Sequence, residues 1–342
     1  MPKESIRFGI GEWYGSRFHA LEDNQRLVYS TIESKPVCPF KHPDLVTPGG
    51  SDKCTKSGGV CSLRLYKLDE GEAVRIVEGA AGSLRATCPY RFYQDRVLIN
   101  WIGSTILGTQ EPILVTEVGF LETIKQVLAT RVGGKDEGTD QKLKEEMELG
   151  TGEDVGRLDM VLLHPDSLKG DIKWCAVEIQ AVYFSGKKMG SYINLVRENL
   201  GEMVFPDHVR RPDYRSSGPK RLMPQLQIKV PTLRRWGKKM GVVIDRAFYN
   251  SLGPMDEVGE LSNCDIAWFV MDYDEEGEGL AAKLIPGEVH FTTLERAVEG
   301  LTGGNPVSQS EFERRIRQKI EARNKAVKKA VERQSKPQAR NV

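Results

Sequence analysis

Residues 157–184 constrain the fold more than any other stretch of the chain. An apolar run, Leu158-Asp159-Met160-Val161-Leu162-Leu163, is followed by a polar segment holding Pro165 and Gly170. A second apolar run then extends from Ile172 to Phe184. Two β-rich runs parted by a Pro- and Gly-bearing segment predict two strands and a loop. Asp159 falls near the start of the first strand. Glu178 and Gln180 lie two apart in the second, so their side chains leave one face together. An acid in the middle of an apolar strand is costly to bury without a cation or a donor. A divalent cation shared by Asp159 and Glu178 would meet that cost and create a site.

The chemistry that suits such a site is phosphodiester hydrolysis. Magnesium prefers hard oxygen ligands and keeps several waters. It lowers the pKa of a bound water, orients the phosphate and neutralises developing charge. Asp159 and Glu178 would ligate it, the carbonyl of Ile179 would add a backbone oxygen, and Gln180 would hold the attacking water through its neutral amide. By itself an Asp with a Glu-x-Gln is a weak pattern. A purely structural strand pair with acids at its rim reads the same way.

A chain of 342 residues is long enough for one large domain or two. Its formal net charge of +1 gives no global basic field, so a polyanion would have to be met by local patches. The amino end lacks a basic-then-apolar leader and no apolar run reaches membrane length, which predicts a cytoplasmic protein without membrane contact. Six cysteines in such a chain suggest metal or buried thiols rather than a disulfide frame.

Four of them form a candidate arm. Cys38-Pro39-Phe40 opens it, Cys54 and Cys61 lie in its middle, and Cys88-Pro89-Tyr90 closes it. Four thiolates suit a tetrahedral zinc or iron ion, and the glycines at 49, 50, 58 and 59 permit the turns that would gather distant sulfurs. The spacing is not that of paired CxxC motifs, so four buried or free thiols remain an alternative. Cys175 and Cys264 lie in apolar runs and read as core thiols.

Elsewhere, residues 16–34 suit a helical packing element within an amino-terminal segment, 1–37. Val97, Leu98, Trp101, Ile102, Ile106 and Leu107 are spaced for one helical face, as are Leu121, Ile124, Val127 and Leu128. Residues 141–148 predict an exposed charged helix. Glu145, Glu146 or Glu148 would be available as a further carboxylate, although a solvated face is the commoner origin of such a run. Basic residues gather between 187 and 240: Lys187, Lys188, Arg210, Arg211, Arg215, Lys220, Arg221, Lys229, Arg234 and Arg235, with Gln225 and Gln227. Arginine suits guanine edges, glutamine suits adenine and lysine suits phosphate, so the cluster is a candidate DNA face. Any one of these residues taken singly is more often a solvated charge. Pro231 predicts a kink or an end to the helix after Leu222. A last basic helix over 308–334, with Ser310 and Glu313 spaced as a capping box, would wrap DNA, support a dimer or stand in solvent.

Cys38-Pro-Phe, Gly59-Val-Cys61, Cys88-Pro, Val177-Glu-Ile-Gln180 and Phe184-Ser-Gly186, followed by Ser217-Gly-Pro219 and Trp268-Phe-Val270, together resemble the NotI family of type II restriction endonucleases over residues 36–272. The resemblance implies an α/β fold: a PD-(D/E)xK nuclease core, with a mixed central sheet flanked by helices over 93–302, and a small four-cysteine metal-binding arm over 38–92. It implies magnesium at Asp159 and Glu178, structural iron (zinc the alternative) at Cys38, Cys54, Cys61 and Cys88, and Gln180 in place of the superfamily lysine. It further implies a homodimer cutting both strands of a GC-rich palindrome in double-stranded DNA. Asp159 departs from the family pattern in following Arg-Leu rather than Pro. Two other readings stay open: a repair or structure-specific endonuclease, and a non-catalytic, metal-stabilised DNA-binding module.

Overall fold

Alternation of Phe8, Ile10 and Glu12 against glycines at 9 and 11 builds a strand at the amino end, β1 (Ile6–Trp13). The computed structural model describes residues 6–41, 51–68, 73–120, 157–277, 279–302 and 307–334. The helical segment expected at the amino end is therefore only partly helical. The strand comes first, then β2 (Ser16–Arg17), and the helix shortens to α1 (Asp23–Ser30). The apolar side chains of this end pack a sheet, with Phe8, Ile10, Trp13 and Phe18 buried in one cluster.

β1 is the centre of an antiparallel sheet. Its partners come from the cysteine-bearing region: β3 (Val60–Leu68) pairs with β1, while β4 (Val74–Ile76) and β5 (Arg85–Ala86) both pair with β3. The helical spacing at 97–107 forms α2 (Val97–Ile102), which continues to Leu107 with wider π-type turns.

The second sheet is mixed and six-stranded. Its strands are β6 (Ile113–Gly119), β7 (Arg157–Leu163), β8 (Trp174–Ile179), β11 (Met240–Asp245), β12 (Ile266–Asp274) and β13 (Lys283–Thr292), in spatial order β13-β12-β11-β8-β7-β6. β8, β11 and β12 run parallel, and every other neighbouring pair is antiparallel. Between β8 and β11 the chain makes β9 (Phe184–Gly186), α3 (Gly190–Glu198), β10 (Arg210–Pro212) and α4 (Met223–Arg235). β9 and β10 pair as a two-stranded ribbon.

The sheet is covered on both faces, so its central strands are apolar on both sides. One face packs Leu98, Ile99 and Ile102 of α2 against Met160, Cys175, Val177, Val243 and Phe269. The other packs Leu222, Leu226, Val230 and Leu233 against Val161, Ala176, Val242, Ile244 and Trp268, and α5 (Leu294–Thr302) adds Ala297 and Leu301. Pro231 lies inside α4 without ending it. It is exposed, so the carbonyl it cannot serve faces water, while the buried stripe holds the helix on the sheet.

These elements belong to a unit spanning Met1–Gly303, and a second unit covers Gly304–Val342. The second unit contains α6 (Gln309–Gln334), whose described side chains are almost all exposed. Its cap is Ser308, whose hydroxyl accepts from the Glu311 amide at 3.3 Å; the Ser310–Glu313 box expected from sequence is displaced by two residues. Residues 121–156 lie outside the described residues, and with them the helices expected over 120–130 and 141–148 and the acids Glu145, Glu146 and Glu148. No helix among the described residues is long and apolar enough to cross a membrane.

Candidate active site and cysteine cluster

The antiparallel register of β7 and β8 pairs Met160 with Val177 and Val161 with Ala176. Just past the last pair of this ladder, the Asp159 carboxyl comes within hydrogen-bond reach of Glu178. The parity of the strands turns both toward the face that α4 covers, with Val161 and Ala176 as their neighbours on that face. Asp159 is exposed, and its Oδ2 accepts from the Ile179 amide at 3.1 Å. Glu178 is only 2 % exposed. The two carboxyl groups are close enough to share a hydrogen bond. Burial first, and then the charge of Asp159, push the Glu178 carboxyl up to about 8 against the pull of Lys229. A pair of acids held this way gains from a hard divalent cation, so its donor chemistry fits magnesium.

Lys229 is the residue that the sequence reading misplaced. It was grouped with DNA-facing basic residues, yet it is 0 % exposed. Its Nζ donates to Glu178 Oε1 and, at 2.7 Å, to Gln225 Oε1 one helical turn earlier. Gln225, grouped with the base readers, is half-buried and engaged in that contact. A signal was present: Leu222, Leu226, Lys229 and Leu233 follow helical spacing, so a lysine stands in an apolar stripe.

Gln180 is buried. Its backbone amide donates to Val243 O at 2.9 Å, and its side-chain nitrogen donates to Ala181 O at 2.6 Å. Among the described residues it makes no hydrogen bond to Asp159 or Glu178.

The remaining basic residues divide in two. Arg210 is buried, and its guanidinium donates to the carbonyls of Lys187, Lys188 and His208 and to Asp207, so it clamps the β9–β10 ribbon rather than offering itself to a ligand. Arg234 is held by Asp265 at 2.5 Å and by Glu295 at 3.1 Å. Lys187, Lys188, Arg211, Arg215, Lys220, Arg221, Gln227 and Arg235 are exposed. Arg221 lies over the Tyr183 ring at 3.7 Å and donates to the Tyr183 hydroxyl at 2.6 Å, which fixes its guanidinium on the surface.

The cysteines converge. Cys38, Cys54 and Cys61 are buried in one cluster with Phe40, against which Tyr14 and Tyr90 pack. Cys88 is within electrostatic reach of Cys38, Cys54 and Cys61. Burial is the main influence that pushes the Cys38, Cys61 and Cys88 thiols up. Backbone amides of Phe40 and Lys41 on Cys38, of Tyr90 on Cys88 and of Gly15 on Cys61 oppose it. Amide donors aimed at sulfur favour thiolate, which suits a metal site by donor chemistry. Among the described residues, however, no three Cys, His, Asp or Glu side chains are placed as a ligand shell requires. Gly59 turns the chain here with φ of +68°, and a Cβ would lie 2.1 Å from the Tyr14 ring, so only glycine fits.

Beside the cluster lies an ion pair that the sequence reading did not find. Arg91 Nε donates to both oxygens of Glu12, at 2.9 and 2.8 Å, with both residues fully buried. The Arg91 guanidinium stacks over Phe40 at 4.7 Å.

The fold and the acid pair set the context for one comparison. Residues 25–141 and 131–284 match the family model for the restriction endonuclease NotI. The chain belongs to the NotI restriction endonuclease family. No curated protein matches it. It is thus a site-specific endodeoxyribonuclease that acts on double-stranded DNA, and the β7–β8 acids lie within the matched residues.

Proposed function

We propose that Asp159 and Glu178 hold the catalytic magnesium of this restriction endonuclease, on a PD-(D/E)xK core, and that a homodimer cuts both strands of a GC-rich palindrome. One observation carries the reading: two acids on neighbouring antiparallel strands come within hydrogen-bond reach of one another, in a mixed sheet whose next strand, β11, runs parallel to β8. Asp159, Glu178 and the Ile179 carbonyl are the oxygen ligands. When bound, the ion polarises the phosphate and lowers the pKa of its water. The protein's own contribution is positional. The Asp159–Ile179 hydrogen bond fixes the exposed acid against its strand partner, and burial excludes water from Glu178. Gln180, just past the end of β8, is buried with its side-chain nitrogen on Ala181 O, and its amide oxygen is the group left to hold the attacking water. Lys187, Lys188, Arg211, Arg215, Lys220, Arg221, Gln227 and Arg235 form the DNA-facing surface, with Arg221 preset for a guanine edge.

Cys38, Cys54, Cys61 and Cys88 form a structural iron site, with zinc as the alternative. Its support is their common burial and the amides that face three of their sulfurs.

The decisive test is digestion of a phage genome in magnesium, followed by sequencing of fragment ends. Discrete ends sharing a palindrome are expected; a smear would reject site-specific cleavage at a palindrome. Asp159→Asn and Glu178→Gln should each abolish cutting of that site while specific binding in calcium persists. If both variants cut normally, these acids are not the catalytic pair.

A further inference from the structure

We propose that α6 is a second DNA-binding element of this endonuclease, one that grips the phosphate backbone without regard to sequence through Arg317, Lys325 and Lys328. The inference needs only that DNA is the substrate. It depends neither on the acid pair nor on a palindromic target.

The near-neutral charge of the whole chain hides a division. Residues 1–308 carry 38 Lys and Arg against 44 Asp and Glu, a formal −6, whereas residues 309–342 carry 11 against 4, a formal +7. A region of net negative charge is repelled by DNA, so the exposed basic residues between 187 and 235 attract it only at close range. The longer-range attraction has to come from the basic segment, most of which α6 sets out on one helix.

The side chains of that helix suit phosphate. Arg314 and Arg315 are tied to Glu311, at 2.7 and 2.8 Å. Arg317, Lys325 and Lys328 are exposed, and among the described residues none of them has an ion-pair partner. With 3.6 residues per turn the three share one face, apart from the stripe of Phe312, Ile316, Ile320 and Val327. From the first to the last they span about 16 Å, a length over which duplex DNA presents about ten phosphate charges. Nothing fixes them for a base edge, in contrast with Arg221 on the Tyr183 ring, so they serve phosphate rather than sequence.

Other occupants fit less well. A second α6 would pair along the apolar stripe. A seam through Ile316 also takes in Arg323, seven residues on, and sets like charges side by side. An acidic protein surface is the remaining candidate, but protein carboxylates come mostly paired, as Asp272 and Glu288 are by Arg246 in this chain. DNA presents an unpaired charge about every 1.7 Å.

The test uses the full-length protein in calcium and a duplex of unrelated sequence, with affinity followed from about 50 to 200 mM salt. Arg317→Gln, Lys325→Gln and Lys328→Gln, combined, keep good helix formers at each position. Loss of three phosphate contacts should reduce the slope of log K against log salt by about 2.7, so that affinity falls about 40-fold less than in wild type over that range. The charge-keeping combination Arg317→Lys, Lys325→Arg and Lys328→Arg should hold the slope within about 0.5 of wild type. On a duplex carrying the mapped site the neutral variant should lose the same slope, while its preference for that site and its kcat in magnesium stay within about threefold. A neutral variant whose slope lies within about 0.5 of wild type overturns the proposal. So does a loss of affinity confined to the mapped site, which would make α6 a base reader. A change of the neutral variant's oligomeric mass in sedimentation without DNA also overturns it, because α6 would then serve a second copy. The unrelated duplex decides the slope, so an Asp159→Asn variant that cuts normally would sink the acid-pair assignment and leave this result standing.

Discussion

Asp245 ends β11 in full burial, and its two oxygens accept from the amides of Phe248, at 2.8 Å, and Ala86, at 2.9 Å. Burial dominates those bonds and raises its carboxyl from an ordinary 3.8 to about 6. For an acid raised in the folded state, the folded protein binds the extra proton. Its contribution to stability is complete below the unfolded pKa and is lost as pH rises through about 6. The full rise corresponds to roughly 3 kcal/mol, of which about 2 kcal/mol falls between pH 4.5 and 8. In Asp245→Asn one acceptor becomes a donor facing an amide, a cost of about 1–3 kcal/mol that does not depend on pH. The variant should therefore be less stable than wild type at pH 4.5, and the gap should close by about 2 kcal/mol on going to pH 8. Urea unfolding followed by far-ultraviolet circular dichroism at four pH values measures it, since other titrating groups largely cancel in the difference. A gap that stays constant from pH 4.5 to 8 would refute the claim that Asp245 is buried with a raised pKa.

Metal analysis of the purified protein should find about one tightly held iron or zinc per chain, apart from magnesium; a stably folded, metal-free protein with four reactive thiols in the cluster would exclude the site. Arg210→Ala should lower stability by about 2–4 kcal/mol, because it removes a buried clamp on the carbonyls of Lys187, Lys188 and His208 and one partner of Asp207. Arg211→Ala, one residue on and exposed, should leave the melting temperature in place, weaken binding to all DNA sequences and reduce the salt slope by about one. Equal effects of the two substitutions on stability would contradict their different burial.

What was legible in the sequence was what neighbours along the chain determine. The β7–β8 pair follows from two apolar runs and their breakers, and its register follows from the loop between them, so the opposition of Asp159 and Glu178 was within reach. The amino-terminal strand was not, because its partner β3 lies some fifty residues away. Charged residues were hardest. Sequence gives the sign of a side chain but not its partner, and the partners that matter here are remote: Lys229 and Glu178 are 51 positions apart, and Arg91 and Glu12 are 79 apart. Lys229, Arg210 and Arg234 were therefore grouped with surface basic residues. Only the apolar stripe around Lys229 carried a local hint of its burial.

The cysteine region and the acid pair also share a physical junction. Ala86 lies two residues before Cys88; its amide donates to Asp245 and its carbonyl accepts from Val182, two residues beyond Gln180, at 2.8 Å. Both bonds are buried, so a shift of β5 relative to β11 must break one or carry the end of β8 with it. If the thiols hold the proposed ion, it would have a route to catalysis through the placing of the β8 terminus. Through that route its removal would slow the cut by displacing Gln180, whereas the choice of bases, if it is read by the exposed residues between 187 and 235 as proposed, would change far less.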